Sequence, residues 1–381
     1  MKTSVAPHAV TLTAIAALVV FALANGLNPV LLTVSITVAA TPLLLAALGE
    51  MVVEKSGVLN LGVEGMMIIG AIAGFATAVE TGSPMIGLIA AAAAGAALSL
   101  VFGFLTQVLL SNQVATGLAL TLFGLGLAAL LGQSYAGLKP PSFPHLDIPL
   151  VSDIPVLGPI LFAHDLLVYI TALILLGTAW FLYRTRAGLI LRAVGENHDA
   201  AHALGYEVIR IRLAAIAFGG ACAGLGGAGL SLVRVPQWTE GMTAGAGWIA
   251  LAIVVFGSWR PGRVALGAFL FGGVTILQLN LQAANLTALW LLVLGFLLLA
   301  THVTVRGLTT GSMHRSMLPL WAATLASAAW ALAAPVSIQT QYLSMTPYIC
   351  TIIVLVVMSA DRLKANLNAP ASLGRVFFRT G

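Results

Sequence analysis

Residues Leu43–Phe75 read LLLAALGEMVVEKSGVLNLGVEGMMIIGAIAGF. Two apolar runs flank a short charged and glycine-rich break. A membrane helix needs roughly 20 apolar residues, and the first run, from about position 30 to 48, and the second, from about 63 to 79, both meet that length. The stretch therefore reads as two crossings joined by a turn. In the break, SGVLNLGVEG (Ser56–Gly65) interrupts the helical pattern immediately before an apolar helix.

The rest of the chain repeats this texture. Of 381 residues, 60% are hydrophobic and only 8% charged, whereas soluble domains carry about a quarter charged residues. With 40 glycines and so few charges, no soluble core can hide these side chains, and lipid is the expected solvent. The reading is an all-α polytopic membrane protein with about 10–12 transmembrane helices. Candidate spans lie near 9–25, 30–48, 63–79, 84–109, 114–132, 166–183, 213–233, 264–282, 288–304, 317–334 and 342–358, with a shorter one near 242–257. The first, after Met1 and Lys2, resembles a signal sequence with a cleavage-like Ala22-Leu23-Ala24, and it is read as a retained extra span because many spans follow.

Charge supplies an independent test. With both termini cytoplasmic, every lysine and arginine except Lys139 and Arg234 falls on the inner face, as the positive-inside rule requires. Removing the short span would carry the later basic loops outside, so the charges argue that it crosses. The net charge of +5 is therefore a topology signal, and no basic cluster on a soluble segment points to nucleic acid. Cys222 and Cys350 sit singly in apolar runs, which excludes a disulfide framework. The external loop at 133–165 holds six prolines, from Pro140 to Pro159, and Asp147, Asp153 and Asp165. It reads either as a rigid connector or as a docking surface for an external partner.

A second segment, Glu240–Trp248, also places glycines and few polar groups before an apolar helix. Irregular backbone at membrane depth survives only where protein or water satisfies it. Glycine-interrupted segments at matching places in two halves point to a transporter's solute path. Five crossings separate the two segments, so they would run in opposite orientation, as an inverted repeat requires. Ordinary glycine-rich turns at the membrane surface are the alternative.

Two segments imitate chemistry. Gly49–Ser56 has nearly the spacing of a phosphate-binding loop, but Glu54 replaces the second glycine and would repel phosphate. His198 and His202 stand at i and i+4 and could share a metal, yet no third ligand is near, and a solvated helix surface is the expectation. Neither a catalytic group nor a metal or other cofactor is expected. Ionisable residues inside spans are scarce, with Glu64 and Glu240 at span edges. That weakens an ion-coupled secondary carrier or channel, the main alternative, since such proteins bury charges along their path.

The inner loop at 184–212 reads RTRAGLILRAVGENHDAAHALGYEVIRIR from Arg184. Glu196 and Asn197 could cap a short helix, with Asp199 in its first turn matching the positive end of the dipole. Ala200, Ala201, Ala203 and Leu204 would give it an apolar face, and Gly205 would end it. Such a helix suits docking into a groove on another protein, or packing on its own membrane domain.

These three stretches, Leu43–Phe75, RAVGENHDAAHALGYEV (Arg192–Val208) and GMTAGAGWIALAIVVFGSWRP (Gly241–Pro261), resemble the branched-chain amino acid, sugar and nucleoside permease family of ATP-binding-cassette importers. Within it the chain is most similar to the nucleoside or simple-sugar branch, and to the shorter permease of a pair. The resemblance implies one transmembrane permease domain over 1–381, in a bacterial inner membrane. It implies a cytoplasmic ATP-binding subunit, a second permease in a heterodimer, and an extracytoplasmic solute-binding protein. By that analogy Glu196 to Gly205 would couple to the ATPase. Asn60, Gly62, Glu64 and Gly65 would join Thr243, Gly245, Gly247 and Trp248 along the solute path, with Asn60 and Thr243 meeting a hydroxylated solute. Three features depart from the family pattern. His198 stands where proline is expected, Ala246 stands where the branch often has arginine, and an apparent insertion at 287–335 carries two further spans. The remaining 359–381 would be a cytoplasmic tail.

Overall fold

A computed structural model describes residues 28–147, 151–152, 154–283, 317–333, 345–349 and 369–378, with Val293, Leu297, Ala300, Thr304 and Ile352. The expected spans at 9–25, most of 288–304 and most of 342–358 lie outside the described residues. The chain divides into two compact units, residues 34–274 with 348–381 and residues 1–33 with 275–347; each is taken by itself.

Helix α1 (Pro29–Lys55) opens with proline, and the Asn28 side chain accepts a hydrogen bond from the Val30 N–H at 2.9 Å. It runs well past the expected end at position 48. Gly57, at φ +88°, turns the chain into a non-helical stretch before α2 (Val63–Thr81). Then come α3 (Pro84–Gly103), prolonged by a π-turn at Phe104–Val108, and α4 (Gln113–Gly132), capped by Asn112, which accepts from the Ala115 N–H at 3.0 Å. In the proline-rich connection, strands β1 (His145–Asp147) and β2 (Ala163–Asp165) pair antiparallel, with the single-turn helix α5 (Leu157–Leu161) between them. Next come α6 (Leu166–Arg184), α7 (Arg186–Glu196) and α8 (His198–Ala203). Helix α9 (Val208–Ala228) ends in a π-turn at Gly229–Arg234, and α10 (Ala246–Phe256) and α11 (Pro261–Ala283) follow. In the other unit, α12 (Met317–Ala333) carries Trp321, whose indole donates to the Thr304 hydroxyl at 3.0 Å.

Seven described helices are long and apolar enough to cross a membrane. α10 is not one of them. Its 11 residues rise about 16 Å, roughly half of a hydrocarbon core about 30 Å thick. This segment can cross only together with the irregular backbone that precedes it.

Lipid gives helices no hydrophobic reason to associate, so close packing must come from small residues. Helix α3 places Gly87, Ala91, Gly95, Ser99 and Gly103 at every fourth position, one continuous small face. Ala91, Gly95 and Ser99 of that face meet Gly220 and Gly224 of α9, while Gly70 of α2 meets Gly224 from the other side. A Cβ at any of these contacts would collide with backbone, so the three helices touch main chain to main chain. The Ser231 hydroxyl donates to the Ala71 carbonyl at 2.9 Å, adding the interhelical hydrogen bond that lipid cannot replace. Large apolar side chains such as Leu122, Phe123, Leu173 and Trp180 stay exposed, as lipid-facing surfaces require.

Candidate functional site

The two glycine-broken segments meet. Glu64, in the first turn of α2, reaches the start of α10 and accepts from the Thr243 hydroxyl at 2.8 Å and from the Gly247 N–H at 2.7 Å. A helix start leaves its first N–H groups without partners and carries positive dipole charge, so a carboxylate satisfies it on both counts. The approach is close enough that a Cβ on Gly247 would lie 2.5 Å from the Glu64 nitrogen. Gly245 precedes the helix at φ +83°, a conformation that favours glycine. Beneath the joint, Gly65 and Gly124 bring α2 and α4 into backbone contact, and the Thr121 hydroxyl donates to the Leu61 carbonyl at 3.2 Å.

The structure thus brings Glu64, Thr243, Gly245 and Gly247 together, but it turns their polar groups onto one another. Asn60 is also buried: its side-chain oxygen accepts from the Gly62 N–H at 2.8 Å, and its amide donates to the Met66 sulfur at 3.4 Å. Trp248, at 43% exposure, is the member of the set whose side chain faces outward.

The expectation that spans hold almost no ionisable groups needs correction. Glu50 and Glu54, one turn apart on α1, are both buried, because the helix continues through them. Glu50 accepts from the Asn60 N–H at 3.2 Å, and Glu54 accepts from the Trp259 indole just beyond α10. All three glutamates therefore hold backbone or side-chain donors, from Asn60 inside the first broken segment, from Thr243 and Gly247 of the second, and from Trp259 after α10. The same helical continuation removes any loop at Gly49–Lys55 that could wrap a phosphate. Spacing i, i+4 on a helix about to end was the available signal, but a run stopped at position 48 left both residues in a loop.

Arg212, expected among the inner-face cations, is fully buried near the start of α9. Its Nε donates to the Ser56 carbonyl at 3.2 Å and Nη1 donates to Gln107 Oε1 at 3.2 Å. Nη1 also donates to the Arg375 carbonyl at 3.3 Å, and Nη2 donates to His198 Nδ1 at 3.2 Å. One guanidinium, with five donors in a rigid fork, therefore ties the first broken segment, the end of α3, the inner loop and the C-terminal tail. The tail strengthens the tie: Ser372 N–H donates to the Gly195 carbonyl at 2.9 Å and Gly374 N–H to the Gly57 carbonyl at 3.1 Å.

The inner loop forms its short helix, with Asn197 as cap accepting from the Ala200 N–H at 2.9 Å and Gly205 at φ +89° after its end. Its faces differ from the expectation. Ala201 is buried with Val194, Val208 and Phe377, whereas Ala200, Ala203 and Leu204 are exposed, Leu204 at 77%. Glu196 lies beside the tail, its carboxylate accepting from the Ala371 N–H at 3.4 Å. The histidine pair is not a solvated surface either. His198 is buried, and both rings pack edge-on against Phe377, with centroids at 5.5 and 5.3 Å. Burial lowers the His198 pKa below its ordinary value. The Arg212 guanidinium lowers it further, Asp199 opposes the shift, and Arg375 adds to it. Among the described residues, no group of three or more His, Cys, Asp or Glu side chains is placed to hold a metal ion.

The described residues thus set apart a half-length helix whose N-terminus is held by a glutamate and, separately, a short capped helix on the 184–212 loop. The family model described as the permease component of the branched-chain amino acid transport system matches residues 32–302. A putative glucose ABC transporter permease protein of Haloferax volcanii is 44% identical over 253 residues, covering 65% of this chain and 77% of that protein. A guanosine ABC transporter permease protein of Bacillus subtilis is 37% identical over 246 residues, covering 61% and 77%. A nucleoside ABC transporter permease protein of Lactococcus lactis is 33% identical over 249 residues, covering 62% and 78%. No solved structure matches the chain significantly. The chain belongs to the branched-chain amino acid transport permease family and is a multi-pass permease subunit of an ATP-binding-cassette importer.

Proposed function

We propose that the chain carries a small, uncharged, hydroxylated solute, a nucleoside in preference to a sugar, into the cytoplasm by alternating access. The observation that carries this reading is the meeting of the two broken segments at Glu64, Thr243 and Gly247. A half-helix whose N-terminus is held by one carboxylate would be freed to tilt when that tie is released. The solute path runs beside this joint, through Asn60, Gly62, Glu64, Gly65, Thr243, Gly245, Gly247 and Trp248. Glu64 and the glycines position the half-helix, and exposed Trp248 offers an aromatic face for a base or a sugar ring. The names of the relatives, guanosine, nucleoside and glucose permeases, support that solute class.

ATP hydrolysis belongs to a separate cytoplasmic subunit, which receives the exposed face of Ala200 and Leu204. Glu196, Asn197, Ala201 and Gly205 hold that helix in place. Motion of the helix passes through His198 and Arg212 to Ser56, at the head of the first broken segment. A nucleotide can shift the equilibrium only if its subunit binds the two loop arrangements with different affinity. A second permease, an external solute-binding protein, cytoplasmic termini and a bacterial plasma membrane complete the reading. Uptake of radiolabelled nucleosides and sugars into proteoliposomes holding the assembled complex tests it. ATP-dependent uptake of one class is expected, and uptake that persists without the ATPase would refute it in favour of a secondary carrier.

A further inference from the structure

A cavity of about 770 Å³ opens at one end of the first unit, where α1 ends, α6 turns into α7, and α11 begins. Lys55, Arg192, Arg260 and Arg263 line it, against a single acid, Glu196. The Arg192 guanidinium lies over the Tyr183 ring at 5.4 Å, and its Nε is buried with no hydrogen-bond partner among the described residues. A buried cationic donor left without an acceptor is costly, so an incoming acceptor would be favoured there. Arg260 and Arg263 are exposed on the rim. Tyr183 also ends an outward stripe of α6 formed with Leu173, Leu176 and Trp180, which are exposed at 70%, 67% and 64%. Those four positions are three and four residues apart, hence on one face of the helix, and the face leads directly to the cavity mouth.

We infer that this cavity is a binding site for one anionic phospholipid. Its phosphodiester is held by Arg192, Arg260 and Arg263, and an acyl chain lies along Leu173, Leu176 and Trp180. Three net positive charges select an anionic over a zwitterionic headgroup. The apolar stripe selects a lipid over a soluble phosphate or an acidic protein segment, neither of which has any use for it. Basic pockets between transmembrane helices on the cytoplasmic side are suited to anionic headgroups. The inference rests on the proposed orientation for the leaflet, but its test requires no transport.

The delipidated full-length chain, purified with its partner subunits, is titrated with phosphatidylglycerol, phosphatidylcholine or glycerol 3-phosphate and read by native mass spectrometry. One equivalent of phosphatidylglycerol is expected to bind in preference to phosphatidylcholine, more weakly as salt is raised. The R260Q/R263Q variant should weaken it about thirtyfold, a few-fold for each cation removed. Both side chains are exposed, so this variant keeps the test valid even where R192Q fails to fold. Equal binding of the two lipids, unchanged binding by R260Q/R263Q, or glycerol 3-phosphate binding as tightly as the lipid would overturn the inference. Binding of the lipid only after the ATPase subunit has been stripped from the complex would overturn it as well, by assigning the cations to a protein contact.

Discussion

Replacing Glu64 measures what the joint between the two broken segments contributes. The carboxylate accepts two hydrogen bonds, from the Thr243 hydroxyl and the Gly247 N–H, in a site where all three residues are buried. Glu64→Ala removes both acceptors and leaves two buried donors unpaired, at about 1–3 kcal/mol each, so about 2–6 kcal/mol in all. Glu64→Gln keeps one acceptor oxygen and turns an amide N–H toward the other donor, so about 1–3 kcal/mol is expected. Thr243→Val removes one donor together with its need for a partner, and should cost less than either Glu64 change. Because Glu64 and Thr243 share one bond, the double variant E64A/T243V should fall short of the sum of the singles by about 1–2 kcal/mol. Denaturant unfolding of the purified complex, followed by tryptophan fluorescence, gives these differences, and ATP-dependent uptake gives the functional counterpart. Additivity of the two singles within about 0.5 kcal/mol, or an E64A cost below that figure, would refute the claim that this carboxylate holds the half-helix.

Three further outcomes follow from the 184–212 loop and the contacts of Arg212. Leu204→Asp should abolish ATPase binding without changing thermal stability, since Leu204 is 77% exposed; Ala201→Asp should lower stability itself, because Ala201 is packed against Phe377. Co-purification of the ATPase and a melting curve separate the two effects. Arg212→Lys places three donors on one atom where the guanidinium fork reached four acceptors, so the tail should loosen, read as faster trypsin cleavage at Arg375 while uptake coupling falls. Acidification should loosen the same contact. His198 has a lowered pKa in the folded protein, so its contribution is fully present above the unfolded value of about 6.5 and is lost as pH falls below it toward the folded value. A His198→Asn variant should lose this part of the pH dependence, as measured by the trypsin assay from pH 7.5 downward.

Much of this protein was legible in the chain because lipid is a severe solvent. Runs such as Val63–Thr81 and Leu166–Arg184 must be helical there, since no other single-segment backbone satisfies its own polar groups. The breaks at Ser56–Gly65 and Glu240–Trp248 stand out for the same reason, and Asn197 and Gly205 announce a short helix by cap chemistry alone. What the sequence left open depends on which atoms meet across many residues. Linear order says nothing of the Glu64 bond to Gly247, 183 positions away. It made Arg212 one of many inner-face cations, although burial against Ser56, Gln107, His198 and the tail sets it apart. Along the chain Ala201 and Leu204 share one apolar face, and the packing of Val194, Val208 and Phe377, the last from residues 369–378, buries the first and leaves the second exposed. Solvent chemistry acts on each residue locally and can be read along the chain, whereas hydrogen bonds and close backbone contacts are pairwise and exist only once the helices have packed.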